Sequence, residues 1–387
     1  MIKYLEKYGT PDAIFFSYKK DEFFSIWGFD DIYSVSKNQL IEKNIMNNFQ
    51  DKITEWKKES EEIAAVGFLS YDSKNIFFPN VNFKNIDSDV PLIWFGKPRV
   101  IKKIHKSDLI NLKTKKSVLN KIIDVPNIKY YNQIIAKIKN YLKSGEVYQI
   151  NYTQPISLEL IGKEFDLYLS LLKTANPSYS AYLNLNSKTY LSMSPENFFT
   201  KINNKISSYP IKGTRMRSNI DSEDVDLKIE LMNSEKDKAE HLMIVDLIRN
   251  DLGKICQYGS IKVNDLFHIK SFNTVHHMVS DINGTLKDNI SETNIFEALF
   301  PGGSITGAPK QRAIEIIDQI ENYSRGIYTG AMGIISNNGD MIFNIAIRTL
   351  TLENQKAEYP VGGGVVWDST AKGEREEAIQ KSKILEK

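Results

Sequence analysis

The sequence predicts an α+β fold in which two antiparallel-rich β-sheets pack together with helices on the outside. Short apolar segments separated by turn residues outnumber strand–helix–strand units, and this pattern favours antiparallel sheets. The segment Asn337–Asp340, which reads Asn-Asn-Gly-Asp, is a hairpin turn between two apolar strands. With 387 residues, 41% of them hydrophobic, the chain can bury one large core or two. We expect a functional site in the cleft between the sheets.

Residues 1–110 form a strand-rich region that we expect to be integrated with the core of the protein. A charged connector, at residues 103–124, then leads into a second region at residues 125–387. The predicted strands of the first region are Ala13–Tyr18, Phe23–Phe29, Ala64–Tyr71 and Pro91–Phe95. The predicted elements of the second region are helices at Ile128–Ser144, Lys236–Asp251 and Gln311–Tyr323, strands at Ala181–Leu185, Thr189–Met193, Met332–Ile335 and Met341–Thr351, and a hairpin over Ser194–Thr214.

Charge and cysteine content exclude several classes of protein. Fifty Lys and Arg against 48 Asp and Glu leave a net charge of +2, which does not indicate nucleic acid or a membrane surface as a partner. The single cysteine, Cys256, excludes internal disulfides and thiolate zinc clusters. No run of about 18 apolar residues and no apolar signal segment is present. We expect a cytoplasmic protein.

Lys212 stands on a stiff piece of backbone. It lies in Tyr-Pro-Ile-Lys-Gly-Thr-Arg, residues 209–215, between a proline and a glycine-threonine turn. A lysine held in this way can act as a nucleophile if its surroundings disfavour the ammonium form, as desolvation and nearby cations do.

Glu196 is predicted to lie near Lys212. If the hairpin turns at residues 203–204, positions 196 and 211 face each other, so Glu196 and Lys212 are within one residue of register. A strict two-residue turn would direct the two side chains to opposite faces, whereas a bulge or a three-residue loop would bring them together. A cross-strand salt bridge is the structural alternative to a reacting pair.

The last predicted helix carries two aligned carboxylates. Glu374, Glu377 and Lys381 are spaced i, i+3 and i+7 and fall within a stripe of about 60°. Such a pair of carboxylates can bind a hard divalent cation, and Mg2+ keeps several waters besides. Spacing alone also fits an ordinary solvated helix face.

Two further features are suited to anions. Arg348 lies on the smaller-residue face of a predicted strand, where it serves either a structural ion pair or a bidentate clamp for a substrate carboxylate. Residues 362–364 are three glycines, which allow backbone N–H groups to approach an anion closely or form a bulge.

Several motifs occur in an order that resembles the chorismate-utilising enzymes. They are Gly-Glu-Val-Tyr-Gln at 145–149, Ser-Pro-Glu at 194–196, the lysine segment at 209–215, Ala-Glu-His through Asp-Leu-Gly at 239–253, Phe-Pro-Gly-Gly-Ser-Ile-Thr-Gly-Ala-Pro-Lys at 300–310, and Ala-Ile-Arg-Thr at 346–349. The resemblance covers residues 125–387 and is faint over 1–110. It implies an anthranilate synthase component I-like fold and a chorismate-binding catalytic domain at 125–387.

The resemblance also implies roles for individual residues. Lys212 would attack ring carbon 2 of chorismate, Glu196 would be the general acid/base that assists loss of the 4-hydroxyl, and ammonia would resolve the adduct at carbon 4. The product would be 4-amino-4-deoxychorismate, a precursor of para-aminobenzoate and folate. The implied Mg2+ ligands are Glu240, Glu374 and Glu377, and the implied substrate-binding residues are Gln149, Thr214, His277, Ser304, Tyr328, Arg348, Gly362, Gly363, Gly364 and Lys381.

Two positions sort the reactions within this family. Isochorismate and salicylate synthases carry a lysine where this chain has Gln149, and anthranilate synthases usually carry alanine where it has Lys212. The pair therefore indicates the aminodeoxychorismate reaction, with the anthranilate reaction as the alternative. A non-catalytic binding protein is disfavoured because every acid, base and ligand position is filled. Because the chain lacks a glutaminase signature, we expect a class I glutamine amidotransferase subunit to supply ammonia.

Overall fold

The computed structural model describes residues 1–40, 42, 44–84, 88–185, 187–272 and 275–385. The strands of this part are β1 (Ala13–Phe16), β2 (Glu22–Val35), β3 (Ile63–Leu69), β4 (Ile93–His105), β5 (Val118–Ile123), β6 (Gln149–Ile161), β7 (Tyr179–Leu185), β8 (Lys188–Ser194), β9 (Asn197–Ile202), β10 (Lys205–Ser208), β11 (Ile211–Met216), β12 (Lys262–Ser271), β13 (Val275–Thr285), β14 (Gly307–Ala308), β15 (Ala331–Ser336), β16 (Met341–Ile345), β17 (Thr349–Glu353) and β18 (Lys356–Val365). The α-helices are α1 (Ile2–Tyr8), α2 (Ile45–Glu59), α3 (Lys74–Phe77), α4 (Lys106–Ile110), α5 (Ile128–Lys143), α6 (Glu164–Ala175), α7 (Asp221–Asn233), α8 (Glu235–Ile255), α9 (Glu292–Leu299), α10 (Lys310–Ile320) and α11 (Ala371–Ser382).

The strands form two antiparallel halves that are joined at the pair β1–β2. One half runs β5-β6-β18-β17-β8-β7-β1, with β14 also on β6. The other half runs β2-β4-β3-β15-β16-β9-β10-β13, with β11 and β12 on the two sides of β13. The predicted α+β class with antiparallel sheets is confirmed, and the two sheets prove to be one continuous ladder.

Strands from residues 1–110 pair with strands from the rest of the chain. β1 pairs with β7, placing Ala13 opposite Leu183, and β3 pairs with β15, placing Gly67 opposite Gly333. Helix α2 covers this region with buried Phe49, Ile53 and Trp56. The predicted connector at 103–124 is more structured than expected, because it contains the end of β4, helix α4 and strand β5.

The predicted hairpin over Ser194–Thr214 is formed only in part. β9 and β10 turn at residues 203–204, with Ile202 opposite Lys205. The chain then leaves β9, and β11 pairs with β13 instead. The paired residues of β11 and β13 are 59 to 68 positions apart along the chain, a separation that the local pattern could not reveal.

The predicted strand Met341–Thr351 is also divided. β16 pairs with β9 and β15 in one half of the ladder, whereas β17 pairs with β8 and β18 in the other. Residues 346–348 cross between the halves, and Arg348 has a left-handed backbone with φ 52°. Arg348 thus lies in the crossover and not in a continuous strand.

Two helices pack against opposite halves of the ladder. Helix α8 packs against β11 and β13, and α11 packs against β18 and α5. These contacts bring Glu240 of α8 and the carboxylates of α11 toward the same region. In the described ranges, no helix combines the length and apolar character needed to cross a membrane.

Candidate active site

A cavity of about 170 Å³ lies between β11 and β13 on one side and β6, β18 and α11 on the other. Eleven of the fifteen predicted site residues line it: Glu196, Lys212, Thr214, His277, Ser304, Tyr328, Arg348, Gly362, Gly364, Glu377 and Lys381. Gln149, Gly363, Glu240 and Glu374 lie just outside this lining. Asn151 and Tyr359 line the cavity as well, and we did not predict them. Asn151 is two residues beyond Gln149 on β6, so strand alternation could have identified it.

Lys212 reaches the cavity from an irregular position on β11. It lies opposite Met278, but Thr214 lies opposite His277, so the register shifts between them. Gly213 has φ 75°, a left-handed conformation that favours glycine, and an added Cβ would lie 2.9 Å from Leu231. The Lys212 ammonium donates to the carbonyl of Ser304 at 3.4 Å. Burial lowers the pKa of Lys212, although the charges of Glu196 and Glu240 oppose this effect.

Glu196 is buried beside Lys212, with 6% of its surface exposed. Its carboxyl accepts hydrogen bonds from the hydroxyl of Ser304 and the backbone N–H of Ile211. Burial raises the pKa of Glu196, whereas Ser304 and the charge of Lys212 lower it. The cavity therefore holds a carboxyl that favours its proton and a lysine that favours losing one, which is the combination needed for acid catalysis and nucleophilic attack.

Glu196 and Lys212 face the same cavity because β11 pairs with β13 and not with β9. The β9–β10 turn has two residues, which alone would direct the two side chains apart. Because β11 leaves the hairpin, its Ile211 N–H meets the side chain of Glu196, and Lys212 turns into the same cavity. Ser304 contacts both groups.

His277 is a neutral hydrogen-bonding group of the cavity wall. Its Nδ1 lies 2.9 Å from the hydroxyl of Thr214, and the ring is 4% exposed. Burial, followed by the charge of Arg348, lowers the pKa of His277 to about 4. The imidazole is therefore uncharged at neutral pH.

The buried His277 should make the protein less stable in acid. Its folded pKa of about 4 lies below the ordinary value of 6.5, so the unfolded chain binds the proton more tightly. The contribution of His277 to the free energy of unfolding is complete above pH 6.5 and falls by about 3 kcal/mol as the pH drops toward 4. Denaturant unfolding of wild type and His277→Gln between pH 4 and 8 measures this, and the variant should show the smaller decline. Equal declines would show that His277 is not responsible.

Arg348 and Tyr328 both line the cavity. In the described part of the chain, the Arg348 guanidinium has no hydrogen-bond or ion-pair partner, although it lines the cavity. Tyr328 lines the same cavity with 6% of its surface exposed, and burial raises the pKa of its phenol, which stays protonated. A guanidinium held this way can accept a carboxylate through two parallel hydrogen bonds.

The glycines of β18 permit close approach from both faces of the strand. A Cβ on Gly364 would lie 2.6 Å from Nε2 of Gln149 and 3.3 Å from Nζ of Lys212. A Cβ on Gly363 would lie 2.9 Å from the Glu377 carboxylate and 3.2 Å from that of Glu374. Side chains here would displace these groups. Both amide atoms of Gln149 are buried without a hydrogen-bond partner, so they remain available to a ligand.

The carboxylates of α11 have opposite electrostatic environments. Burial, followed by the charge of Glu377, raises the pKa of Glu374 to about 7. Lys381 lies 2.7 Å from Glu377 and lowers its pKa. The Lys381 ammonium also donates to the carbonyl of Gly362 at 2.6 Å. This lysine therefore joins α11 to the glycine strand.

These residues can be tested as a set of metal ligands. Oε2 of Glu374 is buried without a hydrogen-bond partner. Glu240 on α8 acts electrostatically on both Glu374 and Glu377, so the three carboxylates face one region. Within the described ranges, however, no three Asp, Glu, His or Cys side chains stand close enough to hold a metal ion as placed. The donor set suits Mg2+, but Glu240 and the α11 pair would have to approach each other.

Comparison with known proteins agrees with this architecture. Residues 11–387 match the family described as chorismate binding enzyme. Component I of anthranilate synthase from Streptococcus pneumoniae has a similar structure, with a TM-score of 0.82 over 96% of this chain and 93% of that chain at 24% identity. At that identity the likeness shows the fold alone.

Curated relatives carry two different names. Aminodeoxychorismate synthase component 1 of Escherichia coli is 42% identical over 251 residues, which are 65% of this chain and 55% of that protein. Anthranilate synthase component 1 of Saccharolobus solfataricus is 36% identical over 335 residues, which are 83% of this chain and 79% of that protein. The chain thus matches little more than half of the first relative. The chain belongs to the chorismate binding enzyme family and is a chorismate-utilising enzyme.

Proposed function

We propose that this chain is component I of an aminodeoxychorismate synthase, which converts chorismate and ammonia to 4-amino-4-deoxychorismate. The observation that carries the proposal is Lys212, a half-buried lysine with a lowered pKa that lines the same cavity as Glu196. Several relatives at about 40% identity, including those of Escherichia coli and Bacillus subtilis, carry this name. Anthranilate synthase is the alternative, because another relative carries that name.

The anion-binding groups of the cavity suit the two carboxylates of chorismate. Arg348 and Tyr328 would hold the enolpyruvyl carboxylate. The ring carboxylate would lie against the glycines 362–364 and Lys381. Holding both ends fixes the ring between Lys212 and Glu196, and such orientation lowers the barrier to reaction substantially.

The residues then support a balanced reaction. The neutral amine of Lys212 forms a bond to ring carbon 2, the ring double bonds shift, and the bond from carbon 4 to its hydroxyl breaks. Glu196 gives its proton to the departing hydroxyl, which leaves as water. Ammonia bonds to carbon 4 and the bond to Lys212 breaks, which releases the neutral lysine. Glu196 then takes back one proton from the new ammonium group, so both catalytic residues return to their starting forms. The sum is chorismate and ammonia giving 4-amino-4-deoxychorismate and water.

We propose that Mg2+ is held by Glu240, Glu374 and Glu377, with waters and the ring carboxylate completing about six ligands. When bound, the cation would neutralise the ring carboxylate and the repulsion between Glu374 and Glu377. The unpartnered oxygen of Glu374 and its raised pKa support this assignment.

Removing one of these carboxylates should weaken the response to magnesium. Glu240→Gln is expected to raise the Mg2+ concentration needed for half-maximal turnover by about 10-fold or more, since a charged ligand is lost. Glu230→Gln is the matched control, because Glu230 pairs with Arg215 at 2.9 Å outside the cavity. Chorismate consumption is followed during Mg2+ titration of metal-free protein. Wild-type turnover that needs no divalent cation would contradict the assignment.

Ammonia should come from a second protein. A smaller cavity of about 20 Å³ shares Glu196 and Ser304 with the main cavity. Its other lining residues are mostly apolar, such as Phe198 and Leu252, but also include Asn197 and Asp251. It has room for about one water-sized molecule. This small space would hold ammonia beside Glu196, and we propose that a class I glutamine amidotransferase subunit supplies it, since exclusion of water limits competition for the reacting carbon.

The purified chain should therefore use ammonium salts but not glutamine. Turnover is measured with each nitrogen source at saturating chorismate. We expect activity with high ammonium concentrations and at most background activity with glutamine. Robust glutamine-dependent turnover by this chain alone would contradict the need for a partner.

Product identity separates the two candidate reactions. Purified protein is incubated with chorismate, an ammonium salt and Mg2+, and the products are identified by liquid chromatography and mass spectrometry. The proposal predicts 4-amino-4-deoxychorismate, which keeps the enolpyruvyl group. Anthranilate together with free pyruvate would identify the alternative and overturn the proposal.

A further inference from the structure

Arg325 is a fully engaged guanidinium outside the cavity. Its side chain is 1% exposed. It donates to both carboxylate oxygens of Glu321 at 2.7 and 2.8 Å, to the carbonyls of Asn151 and Ile305 at 2.7 and 3.1 Å, and to the hydroxyl of Thr329 at 3.2 Å. The guanidinium also lies 4.5 Å from the ring centre of Tyr71. Five hydrogen bonds match the five N–H groups of the side chain.

The acceptors belong to three separate segments that reach the cavity. Asn151 lines it from β6, and Ile305 lines it from the loop before β14. Thr329 follows Tyr328, whose carbonyl accepts a hydrogen bond from the Thr329 hydroxyl at 2.6 Å. Arg325 therefore joins, from behind, three walls that are far apart in sequence.

Among these contacts, the one with Ile305 lies nearest in sequence to a residue that contacts Glu196 and Lys212. Ile305 directly follows Ser304, whose hydroxyl donates to Glu196 and whose carbonyl accepts from Lys212. A shift of the loop would alter both contacts together. Misplacement of a reacting group by about 1 Å can reduce a rate 100-fold.

Glu321 anchors the guanidinium to the sheet. Its Oε1 accepts hydrogen bonds from both the backbone N–H and the hydroxyl of Thr153 at 2.8 Å. The ion pair is therefore fixed to β6, two residues from Asn151. A buried pair with complete hydrogen bonding defines one geometry.

A neighbouring ion pair, formed by Lys74, provides a comparison for Arg325. Lys74 is also buried, at 3.1 Å from Asp318 and 3.5 Å from Asp72, and lies 5.0 Å from the same Tyr71 ring. Neither of its carboxylate partners lines the cavity. The two pairs share burial and location, but only Arg325 binds the cavity walls.

We propose that Arg325, held by Glu321, is a positioning residue that fixes Ser304 relative to Glu196 and Lys212. This inference rests on the proposed roles of Glu196 and Lys212 for its catalytic consequence. It assigns a function to a residue that does not touch substrate. Glu321 and Arg325 both lie beyond the end of α10 at Ile320.

The test compares Arg325→Lys with Lys74→Met. Lysine keeps the positive charge but lacks the forked guanidinium, so it can keep at most some of the five hydrogen bonds that Arg325 makes. We expect kcat for chorismate consumption to fall by about 10- to 100-fold. We also expect the alkaline limb of the pH–rate profile to move to higher pH, because the Ser304 hydrogen bond that lowers the pKa of Glu196 is weakened. The charges of Lys212 and Lys381, which also lower the pKa of Glu196, are present in both wild type and Arg325→Lys.

Lys74→Met should lose stability without either kinetic effect. If Arg325→Lys does not fold, the double variant Arg325→Gln with Glu321→Gln removes both buried charges and serves in its place. An unchanged pH limb, or the same fall in kcat for Lys74→Met, would overturn the proposal. Chorismate consumption is the readout, so a product other than 4-amino-4-deoxychorismate would overturn the proposed reaction and not the positioning role.

Discussion

Replacing Lys212 by alanine should remove nearly all formation of 4-amino-4-deoxychorismate while the protein stays folded. The amine is the group that bonds to the ring, and loss of a covalent nucleophile lowers turnover by at least about 10³-fold. Burial disfavours the Lys212 charge, so its removal should change the free energy of unfolding by no more than about 1 kcal/mol. Product formation is measured by mass spectrometry and folding by denaturant titration.

Lys201 provides the matched control. It also lies on a strand, burial lowers its pKa, and its ammonium donates to the carbonyl of Gly339 at 2.6 Å. It does not line the cavity. Lys201→Ala should keep wild-type turnover. Wild-type rates in Lys212→Ala, with the same product, would refute the covalent route.

Replacing Glu196 by glutamine should reduce turnover by about 10² to 10⁴-fold, the range for loss of a general acid. Glutamine keeps the shape and an oxygen that can accept from Ser304 and Ile211, but it has no proton to give to the leaving hydroxyl. Because burial raises the Glu196 pKa, its protonated form stabilises the fold at low pH, and this contribution is lost as pH rises through the folded pKa. The neutral amide should therefore be at least as stable as wild type at pH 7.

The measurement is the pH–rate profile together with the unfolding free energy. Wild type should lose activity as Glu196 loses its proton, and the variant should lack that limb. Glu292→Gln is the control, because Glu292 is a buried carboxylate 2.5 Å from Lys57 and remote from the cavity. The control should lose stability but not turnover. A Glu196→Gln enzyme with an unchanged profile would remove this residue from the mechanism.

Much of the site could be predicted because its chemistry is carried by short, continuous motifs. The segment at 209–215 contains Lys212 and the glycine of the register shift, and α11 aligns Glu374, Glu377 and Lys381 by helix geometry alone. These features depend on spacing within one element. Local pattern places them, and the resemblance to the chorismate-utilising enzymes implies their roles.

The remaining features depend on contacts between distant segments. The sequence does not reveal that β11 leaves β9 for β13, or that residues 346–348 cross between the two halves of the ladder, because strand partners are chosen by packing. The relation between Glu196 and Lys212 follows from that exchange and could not be determined in advance. Arg325 was missed for the same reason, since its acceptors come from Asn151, Ile305 and Thr329.

Detection of the proposed covalent adduct on Lys212 is the most direct test of the proposed mechanism. Wild-type protein is mixed with chorismate and Mg2+ without ammonia, quenched in acid, digested and examined by peptide mass spectrometry. We predict that the peptide containing residues 209–215 gains the mass of chorismate minus water, that the modification maps to Lys212, and that ammonium discharges it. The central claim would be contradicted if wild-type protein formed 4-amino-4-deoxychorismate efficiently without any such adduct and the Lys212→Ala variant formed it at the same rate.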